Sequence, residues 1–278
     1  KLVGLYYDLF REYGCHVGQV LTMKESFSTR GQYLNQRACM QVMLENGVIP
    51  IVNENDTVSV TELMFTDNDE LSGLIASMMD CDTLVILSNV DGIYNGDPKE
   101  PGTRVIPMVN YDRDLGEYII NQKSGFGRGG MVTKAHIAGK VADEGIKVII
   151  ANGKADNILV ELALHPQQTM HTEFRPNPNP TSTVKKWIAH SESFAKGVVY
   201  VNAKAAEALR SKQVVSLLLV GVTKIEGDFE EGDIVSIVDE QKKLVAVGRS
   251  AYNADEARAN IGKHDVRPLV HYDYMYME

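Results

Sequence analysis

Strand-like and helical patterns alternate along the first 165 residues of this 278-residue chain, and that alternation limits the folds it can adopt. Short apolar runs rich in β-branched residues are typical of buried strands, whereas apolar residues three or four apart are typical of helices. The helical patterns cover residues 1–13, 34–46, 71–79, 131–144 and 157–164, and the strand-like runs cover 16–23, 48–52, 83–87 and 147–151. This order predicts an α/β domain over residues 1–165, with a mostly parallel sheet covered by helices on both faces.

The pattern changes at residues 166–186, where four prolines stand among polar residues. Proline is poorly tolerated in a helix interior or a central strand, so we expect this segment to be a linker. Beyond it, short β runs at 197–201, 214–220, 233–238 and 244–248 accompany one helical segment at 203–209. Residues 187–278 are therefore predicted to form a second, small and mainly β domain of the barrel type.

The composition is that of an acidic globular protein. Hydrophobic residues make up 44% of the chain, enough for two cores, and 37 Asp plus Glu against 28 Lys plus Arg give a net charge of −9. Residues 187–278 alone hold 11 Lys plus Arg and 14 Asp plus Glu, so RNA is not an expected partner. The three scattered cysteines indicate neither a disulfide framework nor a zinc site. No apolar run reaches the roughly 18 residues that a membrane span needs, and we expect a cytoplasmic protein.

Two clusters of Asn and Asp form the first candidate site. Asn53 and Asp56 follow a strand-like run, and Asp67, Asn68 and Asp69 stand before a helical pattern. Such carboxylates and amides can orient an amine, a lysine or a magnesium-bound phosphate. The same residue types favour turns and helix N-caps, and the pattern alone leaves both interpretations open.

A second candidate is the polar segment 88–98, which follows the strand-like run ending at residue 87. Ligands of open α/β sheets bind beyond the carboxyl ends of the strands, and this segment, with Asp91 and Tyr94, could wrap a nucleoside there. It could equally be an ordinary long connection.

The third candidate is the glycine-rich segment 124–134, which opens a helix and contains Arg128 and Lys134. Glycines let the backbone approach a phosphate, and a helix N-terminus supplies free N–H groups and positive charge. The segment predicts a phosphate site, with a flexible surface loop as the alternative. The three candidates together indicate a nucleotide-using α/β enzyme of the phosphotransferase type, with Mg²⁺ accompanying the nucleotide.

Several motifs resemble those of the glutamate 5-kinase family, in matching order along nearly the whole chain. They are VNEND at 52–56, TDNDELS at 66–72, DGIY at 91–94, SGFGRGGMVTK at 124–134, FEEGDIV at 229–235 and GRSAY at 248–252. The resemblance implies an amino-acid-kinase αβα sandwich, incomplete at the N-terminus, followed by a small mainly β PUA-like barrel.

The resemblance also implies an activity: ATP-dependent phosphorylation of the γ-carboxylate of L-glutamate to L-glutamyl 5-phosphate, the first step of proline biosynthesis. Asp69 would organise the catalytic lysines, of which Lys134 is one. The glutamate site would be formed by Asn53, Asp56 and Asn68, with Asp67 nearby. The ATP site would be lined by Ser88, Asn89, Arg128, Gly129, Gly130, Met131, Val132, Thr133 and Lys134. Further expectations are homo-oligomerisation and feedback inhibition by proline.

The sequence departs from the family pattern at its start. The V-K-x-G-[ST] strand and the Ser-Gly loop of family members have no counterpart, so we expect the chain to begin downstream of both. One catalytic lysine and part of each substrate site would then be missing. Because the loss of one charge-stabilising group costs about 10²–10³ in rate, we expect this fragment alone to be inactive. Ser88-Asn89 also replaces the usual Thr-Asp, and Arg128 stands where Thr is common.

Two alternatives fit the same sequence. One is another carboxylate kinase of the same fold, although the barrel tail argues against an acetylglutamate kinase. The other, of a different class, is an RNA-binding PUA protein, which strongly salt-dependent RNA binding would reveal.

Overall fold

A computed structural model describes residues 2–27, 30–55, 68–97, 100–110, 130–180, 187–188, 191, 194–211 and 214–277, without the side chains of residues 24 and 25. The chain divides into two compact units. Unit 1 combines Lys1–Met64 with Ser182–Glu278, and unit 2 is Phe65–Thr181. Two segments far apart in sequence therefore build one unit, and the residues between them build the other.

The first segment of unit 1 is a helix–strand–helix–strand sequence. Its elements are α1 (Leu2–Arg11), β1 (His16–Thr22), α2 (Arg30–Glu45) and β2 (Val48–Glu54). Strands β1 and β2 pair in parallel, with His16 opposite Val48 and Thr22 opposite Glu54. Helix α2 stops where the sequence predicts, because Gly47 adopts a left-handed conformation with φ of +71° that glycine tolerates without strain.

The second segment of unit 1 forms a five-stranded sheet. Its elements are β7 (Gly197–Val201), α6 (Ala203–Arg210), β8 (Val222–Gly227), β9 (Ile234–Val238), β10 (Leu244–Arg249), α7 (Ala254–Ala259) and β11 (Met275–Met277). The spatial order is β11-β10-β9-β7-β8, with β7 parallel to β9 and the other pairs antiparallel. Among the strands that the structure describes, β11 and β8 are the two edges and the sheet does not close into a barrel.

Trp187 and Phe229 are buried aromatic residues of unit 1. Phe229 is 2% exposed and packs in the core of the five-stranded sheet. Trp187 is 1% exposed, and its indole Nε1 donates a 3.0 Å hydrogen bond to the carbonyl of Phe27. Its ring packs against Tyr33 of α2, so the second segment of the unit is anchored to the first.

Unit 2 has three layers. Its sheet has the order β3-β5-β6-β4, formed by β3 (Thr83–Ser88), β4 (Met108–Val109), β5 (Lys147–Asn152) and β6 (His171–Phe174). Its helices are α3 (Asn68–Met78), α4 (Met131–Asp143) and α5 (Ile158–Leu164). Alternate residues of β5 face opposite layers: Val148 and Ile150 pack with α3 and α4, whereas Ile149 and Ala151 pack with α5. The α/β class and the helical cover on both faces are thus confirmed.

Strand β6 corrects the expectation that residues 166–186 contain no central strand. It pairs antiparallel to β5 and parallel to β4, inside the sheet. The four prolines lie at 166, 176, 178 and 180, outside the strand, so residues 171–174 all keep the N–H groups that pairing requires.

The prediction of a strand at residues 214–220 is also wrong. Leu217 makes only an isolated bridge with Val270, a 3₁₀ turn follows at Leu219–Gly221, and the strand begins at Val222. Strand β8 is an edge strand with two buried residues, Val222 and Ile225. Because its other positions are exposed and mostly polar, it lacks the apolar run that is typical of a buried strand.

Candidate active site

The carboxyl edge of the unit 2 sheet gathers the candidate residues. Strands β3 and β5 are parallel and in register, so their last residues, Ser88 and Asn152, lie opposite each other. Helix α3 precedes β3 and helix α4 precedes β5, each through a connection of only a few residues. A helix that turns back directly into a strand runs antiparallel to it, which brings the N-termini of α3 and α4 to this same edge.

Asp69 and Lys134 meet at these two helix N-termini. The ammonium Nζ of Lys134, in the first turn of α4, forms an ion pair and hydrogen bond with the Oδ2 atom of Asp69, in the first turn of α3. The two side chains are 19% and 15% exposed, so the pair is largely shielded yet reachable from solvent. An ammonium group held in this way can neutralise an anion without first having to be ordered.

The N-terminus of α4 adds a second source of positive potential. Its N-cap residue, Gly130, has no side chain to satisfy the first helical N–H groups. Such groups and the helix dipole favour an anion. Val132 points outward and is 37% exposed, whereas Met131 and Thr133 are half-buried. Arg128 and Gly129, the two other predicted ATP-site residues of this segment, lie outside the described residues.

Asp91 is fixed at the sheet edge by two neighbours. The Asn152 amide donates a 2.9 Å hydrogen bond to its Oδ1 atom, and the Tyr94 hydroxyl donates a 3.0 Å hydrogen bond to its Oδ2 atom. Burial first, and then the hydrogen bond and charge of Asp91, raise the pKa of Tyr94, which keeps the phenol protonated as a donor. Ser88 and Asn89 begin this loop, and the Ser88 hydroxyl contacts Oδ1 of Asn89 at 3.4 Å.

Two hydrogen bonds of Thr172, in β6, fix the same loop. Its hydroxyl accepts a 2.8 Å hydrogen bond from the Ile93 N–H and donates a 2.7 Å hydrogen bond to the Ile106 carbonyl. Gly92 has a φ of +156°, and a Cβ there would lie 2.6 Å from Oγ1 of Thr172. The loop can therefore pass over Thr172 only with glycine at this position.

The remaining predicted site residues are distributed as follows. Asn68 is the first residue of α3 and is exposed. Asn53 belongs to unit 1, where it is exposed on β2 opposite Leu21. Asp56 and Asp67 lie outside the residues that the structure describes.

A cavity of about 790 Å³ lies on unit 2 beside the loop that contains Asp91. Its walls include Asp91, Tyr94, Arg104 and the β6 residues His171 and Glu173. The latter two stand opposite Ala151 and Ile149, the residues of β5 that face α5. Lys134 and Asp69 do not line this cavity and belong to helices on the other face of the sheet.

Sequence reasoning missed Asn152, Thr172, Ser77 and Glu144. Asn152 could have been found, because it is the polar residue directly after a strand-like run, as Asn53 and Ser88 are. The other three act through contacts with residues 66–79 positions away, which no local pattern reveals.

The described part of the chain contains no helix that is both long and apolar enough to cross a membrane. Within the same residues, no group of three His, Cys, Asp or Glu side chains is arranged to hold a metal ion. All three cysteines, Cys15, Cys39 and Cys81, are free thiols.

The layered unit and the paired lysine and aspartate agree with the comparison to known families. The model of the Amino acid kinase family matches residues 2–152, and the model of the PUA domain matches residues 197–272. These matches define the class as an amino acid kinase with a C-terminal PUA domain, which confirms the predicted fold class.

Relatives narrow the assignment. A protein of Bacteroides thetaiotaomicron named glutamate 5-kinase is 61% identical over 278 residues, which are 100% of this chain and 77% of the relative. Proteins of the same name from Chlorobaculum tepidum and Thermoanaerobacter sp. are 43% and 38% identical, over 100% and 98% of this chain and 76% and 73% of theirs. The chain belongs to the glutamate 5-kinase family.

Proposed function

We propose that this protein transfers the γ-phosphoryl group of ATP to the γ-carboxylate of L-glutamate. The family supports the reaction class, since its named relatives are glutamate 5-kinases. The observation that carries the proposal is the Asp69–Lys134 pair, which holds an ammonium group beside the N-terminus of α4. Phosphoryl transfer depends mainly on positioning and on stabilising negative charge, and this arrangement supplies both.

In the proposed step, a γ-carboxylate oxygen of glutamate attacks the γ-phosphorus of ATP. A new O–P bond forms while the bond between that phosphorus and the β,γ-bridging oxygen breaks, and the electron pair leaves with ADP. The product is the acyl phosphate L-glutamyl 5-phosphate. No proton has to move, because the attacking carboxylate is already ionised at neutral pH.

Lys134 stabilises the negative charge on the transferring phosphoryl oxygens. The Asp69 carboxylate directs the Lys134 ammonium group toward the N-terminus of α4. It competes with bulk water as the hydrogen-bond acceptor of that ammonium group. The N–H groups at the start of α4 bind the phosphate chain together with Arg128, Gly129, Gly130, Met131, Val132 and Thr133. Ser88 and Asn89 line the ATP site at the adjoining strand end.

Glutamate binding is assigned to the Asn and Asp clusters. Asn53, Asp56 and Asn68 contact the amino acid, with Asp67 nearby. Amide and carboxylate oxygens are suitable acceptors for its α-ammonium group, and amide N–H groups are suitable donors to its carboxylates.

Mg²⁺ would enter with ATP. Mg²⁺ in nucleotide sites is generally held by phosphate oxygens and water, with one or two protein carboxylates. When bound, it would neutralise part of the phosphate charge. On the resemblance alone, we further propose a cytoplasmic homo-oligomer that is inhibited by proline.

The test is ADP release by the full-length protein with ATP, Mg²⁺ and, separately, glutamate, N-acetylglutamate and aspartate. We expect turnover on glutamate alone and a fall of at least 10²-fold in kcat for Lys134→Ala. Lys204→Ala, which removes an exposed lysine of α6 in unit 1, is the matched control and should leave kcat unchanged. Turnover on another acid would refute the substrate, and full activity of Lys134→Ala would refute the site.

A further inference from the structure

Ser77 and Glu144 form a buried hydrogen bond between α3 and the C-terminal end of α4. The Ser77 hydroxyl donates to Oε2 of Glu144, and each residue is only 1% exposed. Ser77 lies in the last turn of α3, and Glu144 is the C-cap residue of α4. A hydrogen bond to a buried carboxylate is stronger than one between neutral groups and is costly to break.

The same two helices carry Asp69 and Lys134 at their other ends. Ser77 follows Asp69 by eight residues and Glu144 follows Lys134 by ten. At a rise of about 1.5 Å per residue, the two contacts are separated by about 12 Å along α3 and about 15 Å along α4. Two helices joined at both ends have a fixed register, because sliding or rotating either of them would break one of the two contacts.

Apolar packing also joins the two helices to the sheet. The hydrophobic cluster there includes Ala76 of α3 and Ala135, Ile137, Ala138, Val141 and Ala142 of α4. Van der Waals contact varies gradually with small shifts of a helix, whereas a hydrogen bond weakens steeply when its donor and acceptor leave their preferred distance and angle. The buried bond therefore adds a directional restraint to the apolar packing.

We propose that Ser77 and Glu144 are positioning residues for the phosphotransferase reaction. They hold α3 and α4 in the register that brings the Asp69 carboxylate to the Lys134 ammonium, and they touch neither substrate. This inference rests on the function and site proposed above. It assigns a role to two residues that lie outside the candidate site and about two to three helical turns from it.

The test compares kcat, both KM values and the melting temperature for four forms of the full-length protein. Ser77→Ala should lower kcat by about tenfold or more, with the KM for glutamate and for ATP within twofold of the parent values. Glu144→Gln keeps an oxygen acceptor for the serine hydroxyl and should retain most of kcat. The double variant Ser77→Ala/Glu144→Leu removes the donor and the acceptor of this bond together, so its melting temperature should lie above that of Ser77→Ala while kcat stays low.

A spectroscopic measurement reports on the register of α3 against α4 independently of catalytic turnover. After reductive ¹³C-methylation, the Lys134 signal is identified in NMR spectra by its loss in Lys134→Ala. Ser77→Ala should move this signal in the direction that Asp69→Asn moves it. An unmoved signal, or a double variant whose kcat recovers along with its stability, would overturn the inference. If Lys134→Ala abolishes turnover while the Ser77 variants keep full kcat, the positioning role fails and the proposed function survives.

Discussion

Asn152 donates a 2.9 Å hydrogen bond to Asp91, and this contact joins the ends of two neighbouring parallel strands. Asn152 ends β5, whereas Asp91 lies three residues beyond the end of β3. The loop that carries Ser88 and Asn89 is thereby tied to the strand beside it.

Replacement of Asn152 by Ala should weaken ATP binding. Loss of a hydrogen bond to a charged group costs about 1.5–3 kcal/mol, part of which the freed Asp91 recovers from water, so we expect the dissociation constant for ATP to rise by about three- to tenfold. Isothermal titration calorimetry measures it. Asn179→Ala, which removes an exposed amide of the same unit, serves as the control. Equal ATP affinity of parent and Asn152→Ala would contradict the assignment of this loop to the nucleotide.

Thr172 should be a strong determinant of stability. In Thr172→Val, the buried N–H of Ile93 and the carbonyl of Ile106 both lose their partner, at a cost of about 1–3 kcal/mol in the free energy of unfolding. Thr172→Ser keeps the hydroxyl and should lose much less. Urea denaturation followed by circular dichroism compares the three proteins, and a valine variant as stable as the parent would refute this account.

Asp239 should stabilise unit 1 at neutral but not at strongly acidic pH. The hydrogen bond that Asp239 accepts from Arg210 (2.6 Å) is the largest cause of a lowered pKa of this carboxyl. The hydrogen bonds from the backbone N–H groups of Lys243 and Gln241 lower the pKa further. A lowered folded-state pKa gives stability that is fully present above the unfolded value of about 3.9 and is lost as pH falls through the folded value.

The melting temperature of Asp239→Asn should therefore lie below that of the parent by a constant margin between pH 5 and 8. That margin should narrow below about pH 4, where the parent carboxylate begins to take up its proton. Differential scanning calorimetry across this range gives the profile. A margin that widens on acidification would contradict the sign of the effect.

Cys81 should be the slowest of the three thiols to react with iodoacetamide. Burial first, and then the negative charges of Asp82 and Asp80, raise its pKa and reduce the thiolate fraction at pH 8. Cys15 and Cys39 are exposed and provide internal controls in the same sample. Mass spectrometry of peptides at successive times gives the three rates, and faster labelling of Cys81 would disprove the prediction.

The helices and strands that the sequence predicts well are those with a strong local pattern. Helix α4 and strand β5 are predicted to within one residue at their described ends, because apolar periodicity and a β-branched run define them directly. Strand β6 is missed because flanking prolines dominate its neighbourhood, and β8 because half-exposed edge strands carry polar residues.

The site was predictable in part for a similar reason. Glycines and charges at a helix start identify the Lys134 segment locally, and the family resemblance links that lysine to Asp69. Their pairing joins residues 65 positions apart, and the Ser77–Glu144 bond joins residues 67 apart. Such contacts depend on how helices pack, so a local pattern does not contain them. The roles of the candidate site residues in substrate binding and catalysis stay predictions.

The division of unit 1 into two sequence segments has a consequence for biosynthesis. The hydrogen bond from Trp187 to Phe27 closes a loop of 160 residues, and unit 2 is encoded within that loop. A ribosome therefore delivers all of unit 2 before the second half of unit 1 emerges. At a chain growth of about 5–20 residues per second, unit 2 is complete several seconds before the last residues of unit 1 are synthesised, so it can begin to fold while unit 1 still lacks its second segment.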